Sequence, residues 1–112
     1  MEIETRDNEG FVVLDIIGTI NLYKTPELKE KVTELVEQGS KHLILNMSEV
    51  AYVDSPGLGS FISCQNIVHK AGGTLKLAGL TESVSKAVEM TQLQAVLDIY
   101  EKEEDAVARG FI

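Results

Sequence analysis

The chain has 112 residues, 44% of them hydrophobic and 25% charged, with a formal net charge of −8. This is the length of one compact domain with one core. No apolar stretch approaches the ~20 residues of a membrane-spanning helix, and the acidic stretch Met1–Asp7 is not a secretory signal. The net negative charge disfavours phosphate backbones and anionic membrane surfaces as partners, so the expectation is a cytoplasmic protein that binds neither nucleic acid nor membrane directly.

Taken in order, Ile3 and Thr5 alternate with Glu2, Glu4 and Arg6, which predicts a short edge strand. Asp7-Asn8-Glu9-Gly10 is turn chemistry, and Phe11 to Gly18 gives a second strand, so the first two strands form a hairpin. After Gly18-Thr19-Ile20-Asn21, Thr25 is placed as a helix N-cap with Pro26 at the first helical position. Leu28, Val32, Leu35 and Val36 line one face of that helix, Lys29, Glu30, Lys31, Glu34 and Glu37 the rest, and Gly39 ends it. His42 to Asn46 is the central strand. The Leu43-Ile44-Leu45 run within it has the continuous apolar character of a strand buried on both faces. A helix separates it from the preceding strand, so the two pair in parallel.

A second helix begins near Ser55, with apolar residues at 58, 61, 62 and 68. It carries Cys64, which is expected to be a small core residue, and stops at Gly72-Gly73. Thr74 to Ala78 is a strand. Thr81 caps a third helix that buries Val84, Ala87 and Val88. Leu97, Ile99 and Tyr100 suggest a last short strand, and Glu103 to Arg109 a final helix. The order ββαβαβαβα implies an α/β fold: one mixed sheet with helices packed on it.

The informative stretch lies between the central strand and the second helix. Val53-Asp54-Ser55-Pro56-Gly57-Leu58-Gly59 places Ser55 as the N-cap and Pro56 at the first helical position. The serine hydroxyl then sits at the positive end of a helix, where an anion is tolerated. On these residues alone, Ser55 need do no more than cap the helix.

The longer run Leu45-Asn46-Met47-Ser48-Glu49-Val50-Ala51-Tyr52-Val53-Asp54-Ser55-Pro56-Gly57-Leu58-Gly59 resembles the signature of the STAS-domain family of bacterial anti-sigma-factor antagonists. That signature is apolar-Asn-apolar, a short loop, then aromatic-apolar-Asp-Ser-[Ser/Thr]-Gly-Leu-Gly. The element order matches the family's architecture, which extends the resemblance over residues 1–112. Pro56 replaces the family's second small hydroxyl residue, and Asn21 stands where an aspartate is common.

The resemblance implies that Ser55 is a phosphorylation site. It implies that the unmodified form binds an anti-sigma factor that is also a serine kinase, which frees a sigma factor. The kinase uses its own ATP to modify Ser55 and end the interaction, and a phosphatase resets it. This chain would hold no cofactor. The implied contact residues are Asn21, Tyr23, Asp54, Ser55, Pro56, Gly57, Leu58 and Gly59. Some modules of the family serve instead as a scaffold in a stress-signalling assembly or an accessory subunit of a transport system, without such a switch.

Each residue also has a plainer role. Asp54 either orients the serine and meets the kinase, or bonds its own backbone as a turn residue. Gly57 and Gly59 either admit a partner's backbone or let the helix pack on the sheet. Leu58 reads best as the first core residue of the helix. A phosphate on Ser55, adding about −1.5 to −2 charges, is expected to meet the N–H groups of Gly57, Leu58 and Gly59 and leave the scaffold folded. Its cost falls on the partner.

Catalysis is not expected. The serine lacks the G-x-S-x-G context, because position 53 is Val, and Pro56 deletes the N–H that such enzymes use as an oxyanion donor. Ile62 stands where a dinucleotide fingerprint needs glycine. His42 and His69 lack a second ligand at metal spacing and read as surface or strand-edge residues. Glu101, Glu103, Glu104 and Asp105 read as a solvated first turn.

Overall fold

The computed structural model describes residues 1–111. Five strands form one sheet in the order β1-β2-β3-β4-β5. They are β1 (Glu2–Asn8), β2 (Phe11–Ile20), β3 (His42–Val53), β4 (Thr74–Ala78) and β5 (Ile99–Tyr100). The helices are α1 (Thr25–Glu37), α2 (Ser55–Lys70), α3 (Glu82–Met90) and α4 (Glu103–Arg109). The predicted element order holds, as does the parallel pairing of β2 with β3. β1 is the antiparallel edge, joined to β2 by a two-residue turn at Glu9 and Gly10, both at positive φ. This turn type matches the natural twist of paired strands.

β3 is longer than its apolar run suggests. Between Asn46 and Val53 it gains two residues on β2: Ile17 pairs with Glu49, and Thr19 with Tyr52. These bulges break the alternation, so Ser48–Tyr52 reads as a loop although it is strand. A short 3-10 helix, Leu93–Ala95, precedes β5 and was not expected from the sequence.

The two sheet faces are covered unequally. Leu14, Leu43, Leu45, Met47 and Leu77 pack with Leu28 and Val32 of α1, Phe61 and Cys64 of α2, and Val84 and Val88 of α3. Burial pushes the Cys64 thiol up to about 12, so it is an inert core group. On the opposite face α4 lays Ala106 over Phe11, Val13, Ile44 and Ala78. The two faces together explain the apolar Leu43-Ile44-Leu45 run.

Helix ends follow partly different rules from those expected. Gly39 and Gly72 do end α1 and α2, with Ser40 N–H donating to Leu35 and Gly73 N–H to Val68, each at 2.9 Å. Thr81 precedes α3, but its hydroxyl donates to the Val50 carbonyl at 2.9 Å instead of capping. Thr25 is not a cap: it is the first residue of α1, and its buried hydroxyl donates to the Leu22 carbonyl. One extra turn precedes α1, which moves the capping duty upstream to Asn21.

His42 opens β3 as a half-buried strand-end residue: its ring stacks on Phe111 at 4.0 Å, and among the described residues its buried Nδ1 has no hydrogen-bond partner. One further expectation fails. Glu103 is not merely solvated. It accepts from Arg6 at 2.5 and 2.8 Å and from Asn8 at 2.8 Å, tying α4 to the β1 edge. No helix among the described residues is long and apolar enough to cross a membrane.

Candidate functional site

β2 and β3 are parallel neighbours, so their C-terminal ends deliver two segments to the same edge of the molecule: Asn21–Lys24 and Asp54–Gly59. Such crevices at the carboxyl ends of parallel strands are where open α/β sheets place their sites.

Asn21 organises the first segment. Its Oδ1 accepts the N–H groups of Tyr23 at 3.0 Å and Lys24 at 3.1 Å, and its carbonyl accepts those of Lys24 and Thr25. This is the bonding of a helix cap, displaced by one turn. It holds Leu22 and Tyr23 outward, 57% and 83% exposed.

Asp54, not Ser55, caps α2. Its backbone is extended, and Oδ1 accepts the Gly57 N–H at 2.7 Å. Ser55 is therefore the first residue inside the helix and Pro56 the second; proline is tolerated there because that N–H also lacks an intrahelical partner. The carboxylate outcompetes the serine as a cap and suits the positive end of the helix dipole. Its other oxygen, Oδ2, accepts the Leu22 N–H at 3.0 Å. One side chain thus stitches the two segments together. Bonding its own backbone, the plainer of the two roles, is realised, and a second bond reaches across to the neighbouring loop.

This arrangement revises the anion expectation. The Gly57 N–H is held by the Asp54 carboxylate and the Leu58 N–H by the Asp54 carbonyl at 2.9 Å. A charge on Ser55 would find those two donors occupied and a carboxylate beside it.

The implied contact residues divide by exposure. Ser55, Pro56, Gly59 and Tyr23 are exposed, and Asn21 and Asp54 are half-buried. Gly57 and Leu58 are buried, with Leu58 only 5% exposed. A Cβ on Gly57 would meet the Ile20 carbonyl and Val53 Cγ1, each at 2.6 Å, so this glycine is needed for helix-on-sheet packing. A Cβ on Gly59 would meet nothing within 4 Å. Tyr52, 54% exposed, and Leu22 border the same edge and were not singled out from the sequence. The signal for Tyr52 was its position at the end of an apolar strand, hidden by the bulge. Leu22 sits beside Tyr23 in a polar turn, where no periodicity demands an apolar pair.

The site presents an exposed primary hydroxyl on the capped end of a helix, near exposed aromatic and aliphatic groups. Among the described residues no group of three or more His, Cys, Asp or Glu could hold a metal ion.

The STAS domain family model matches residues 2–106. The chain is 36% identical over 107 residues to a protein of Bacillus subtilis (strain 168) described as an anti-sigma-B factor antagonist, covering 96% of this chain and 97% of that one. An anti-sigma factor antagonist from Mycobacterium paratuberculosis superposes with a TM-score of 0.85 at 19% identity, over 96% of this chain and 92% of that one. The anti-sigma factor antagonist SpoIIAA in its unphosphorylated form gives 0.73 at 18% identity, covering 96% of both chains. Its phosphorylated form, described as a Bacillus cell fate determinant, gives 0.69 at 18% identity, over 96% of this chain and 98% of that one.

Proposed function

The chain belongs to the STAS-domain family, and from that footing we propose that it is a cytoplasmic anti-sigma-factor antagonist switched by phosphorylation of Ser55. The unmodified form binds an anti-sigma factor that is also a serine kinase, and a sigma factor is released. The protein acts by binding and catalyses no reaction of its own.

The observation that carries this reading is the position of Ser55: an exposed hydroxyl on the first turn of α2, on a fixed backbone beside exposed Leu22 and Tyr23. A kinase needs an accessible hydroxyl that it can align with its nucleotide. In the transfer, Ser55 Oγ bonds the γ-phosphorus of ATP, the bond to the β-phosphate oxygen breaks, ADP leaves, and the hydroxyl proton passes to a base of the kinase. The product is a phosphoserine dianion lying beside Asp54. Like charge and lost hydration at a formerly neutral contact then favour release. A phosphatase returns the hydroxyl by hydrolysis.

Because α2 is capped through Asp54 and its core residues lie behind it, the modification leaves the scaffold folded. Binding of the purified protein to its cognate anti-sigma factor, with and without ATP, tests the reading. Unmodified protein and the Ser55→Ala variant should bind, with the variant insensitive to ATP. Phosphoprotein should bind at least about tenfold more weakly, ~1.4 kcal/mol. Equal affinity of modified and unmodified protein overturns it.

A further inference from the structure

The sheet face that carries α4 is only half covered. α4 lies over Phe11, Val13, Ile44 and Ala78. Further along, past the bond from Asn46 Nδ2 to Asp15 at 2.7 Å, the strands run on. There Glu2, Ile17 and Glu49 stand side by side as cross-strand neighbours, and Thr19 stands beside Tyr52. Paired residues share a face of the sheet, so these five form one continuous patch. Ile17 and Thr19 are half-buried, Glu2, Glu4 and Glu49 are exposed, and Tyr52 is 54% exposed.

We propose that this bare half-face is a second docking surface and receives a basic segment of the same anti-sigma factor that contacts Ser55. This rests on the function proposed above. Continuity supports a single occupant, since the floor of the patch is β2 and β3, and those two strands end in Asn21–Lys24 and Asp54–Gly59. A partner seated on the site overhangs the patch.

The chemistry of that occupant follows from the charges. The carboxylates of Glu2 and Glu49 flank Ile17 on its two neighbouring strands, and Glu4 stands two residues along β1, opposite Asp15. Arg6, the one basic side chain within β1, is engaged by Asp15 at 2.8 Å and by Glu103. A lysine- or arginine-bearing segment complements this pattern, and an arginine can also lie on the Tyr52 ring. A second copy of this chain would set like charges against one another. The basic contact governs encounter, while the dianion at Ser55, past the strand ends, governs release.

Association with the purified cognate anti-sigma factor, followed by stopped flow across a salt series, tests this. The wild-type rate should fall steeply as salt rises. Glu2→Lys with Glu49→Lys should weaken binding by about tenfold or more and flatten the salt dependence. Tyr52→Ala should dissociate faster. Glu89→Lys with Glu101→Lys, equal in net charge but at exposed positions elsewhere, should behave as wild type. If the Glu2/Glu49 variant binds like that control, the half-face is not a docking surface, although the Ser55 reading stands. Sedimentation showing a wild-type dimer that Tyr52→Ala dissolves also overturns it. Wild type that does not bind the anti-sigma factor overturns both proposals.

Discussion

Asp54 Oδ2 accepts the backbone N–H of Leu22 at 3.0 Å, while Oδ1 of the same carboxylate accepts that of Gly57 at 2.7 Å. One residue therefore fixes both the start of α2 and the loop that carries Tyr23. Replacing it separates two effects. Asp54→Ala removes the cap and should cost about 1 kcal/mol, typical of lost N-caps, measured by urea unfolding. Asp54→Asn keeps a good cap oxygen but turns an amide donor toward the Leu22 N–H. It should lose little global stability, while exchange of the Leu22 and Tyr23 amides accelerates and partner affinity falls. Unchanged Leu22 exchange in Asp54→Asn would mean that the loop holds itself without the carboxylate.

Gly57 and Gly59 are two residues apart on one helix, yet substitution should have opposite signs. A methyl group on Gly57 collides with the Ile20 carbonyl and Val53 Cγ1. Overpacking against backbone should cost about 1–3 kcal/mol. Gly59 has open space around its Cβ position, and alanine inside a helix is favoured over glycine by roughly 0.5–1 kcal/mol. Thermal melting of Gly57→Ala and Gly59→Ala should therefore move Tm down and up, respectively. A rise in Tm for both would show that α2 sits farther from β2 than these contacts require.

Most of the fold was legible because hydrophobic period and turn chemistry agree along the chain. Leu28, Val32 and Leu35 mark a helix face, and Leu43-Ile44-Leu45 marks a doubly buried strand; both lie where the pattern puts them. The failures share a cause: a long-range partner decides what local sequence cannot. Ser55 lost the capping position because the Asp54 carboxylate also reaches Leu22, 32 residues away in sequence. Ser48–Tyr52 is strand because bulged pairing with β2 compensates for broken alternation. Thr81 spends its hydroxyl on Val50, and Glu103 its carboxylate on Arg6. In the site, the Asp-Ser-Pro-Gly-Leu-Gly run gave the helix start within a residue. Exposure of Leu22 and Tyr52 depends on how two strands end side by side, and no local pattern records that.

Acid stability depends on Arg6. Hydrogen bonds from its guanidinium hold the carboxyls of Asp15 and Glu103 below their ordinary values of 3.8 and 4.5, against an opposing push from burial. The unfolded chain takes up protons at these sites near those ordinary values, and the folded chain resists until the pH is lower. The stability this adds is whole above about pH 4.5 and is lost as pH falls through the folded-state values. Arg6→Met should flatten the fall in unfolding free energy below that pH. Parallel pH profiles for wild type and variant would show that other carboxylates dominate acid unfolding.

Lys76 should prove more important to α4 than α4's own sequence. The helix has seven residues, too few to persist alone in water. Lys76 is fully buried beneath it, and Nζ donates to the carbonyls of Ala106 at 2.9 Å and Gly110 at 2.6 Å. These lie at the end of a helix, where carbonyls lack partners of their own. The ammonium also stands 5.3 Å from the Phe11 ring centroid and 4.8 Å from that of Tyr100. Burial pushes its proton affinity down, opposed by Asp98. Lys76→Met keeps most of the volume and removes the cost of burying a charge, but leaves both carbonyls unpaired. Because a lost partner costs more than a pair replaced together, the net change should be a loss of about 1–3 kcal/mol. The loss should be local first: trypsin cleavage at Lys102 and amide exchange across 103–110 should rise ahead of global unfolding. If β4 and α4 lose protection equally in the variant, Lys76 is acting as core filling and does not clamp the helix.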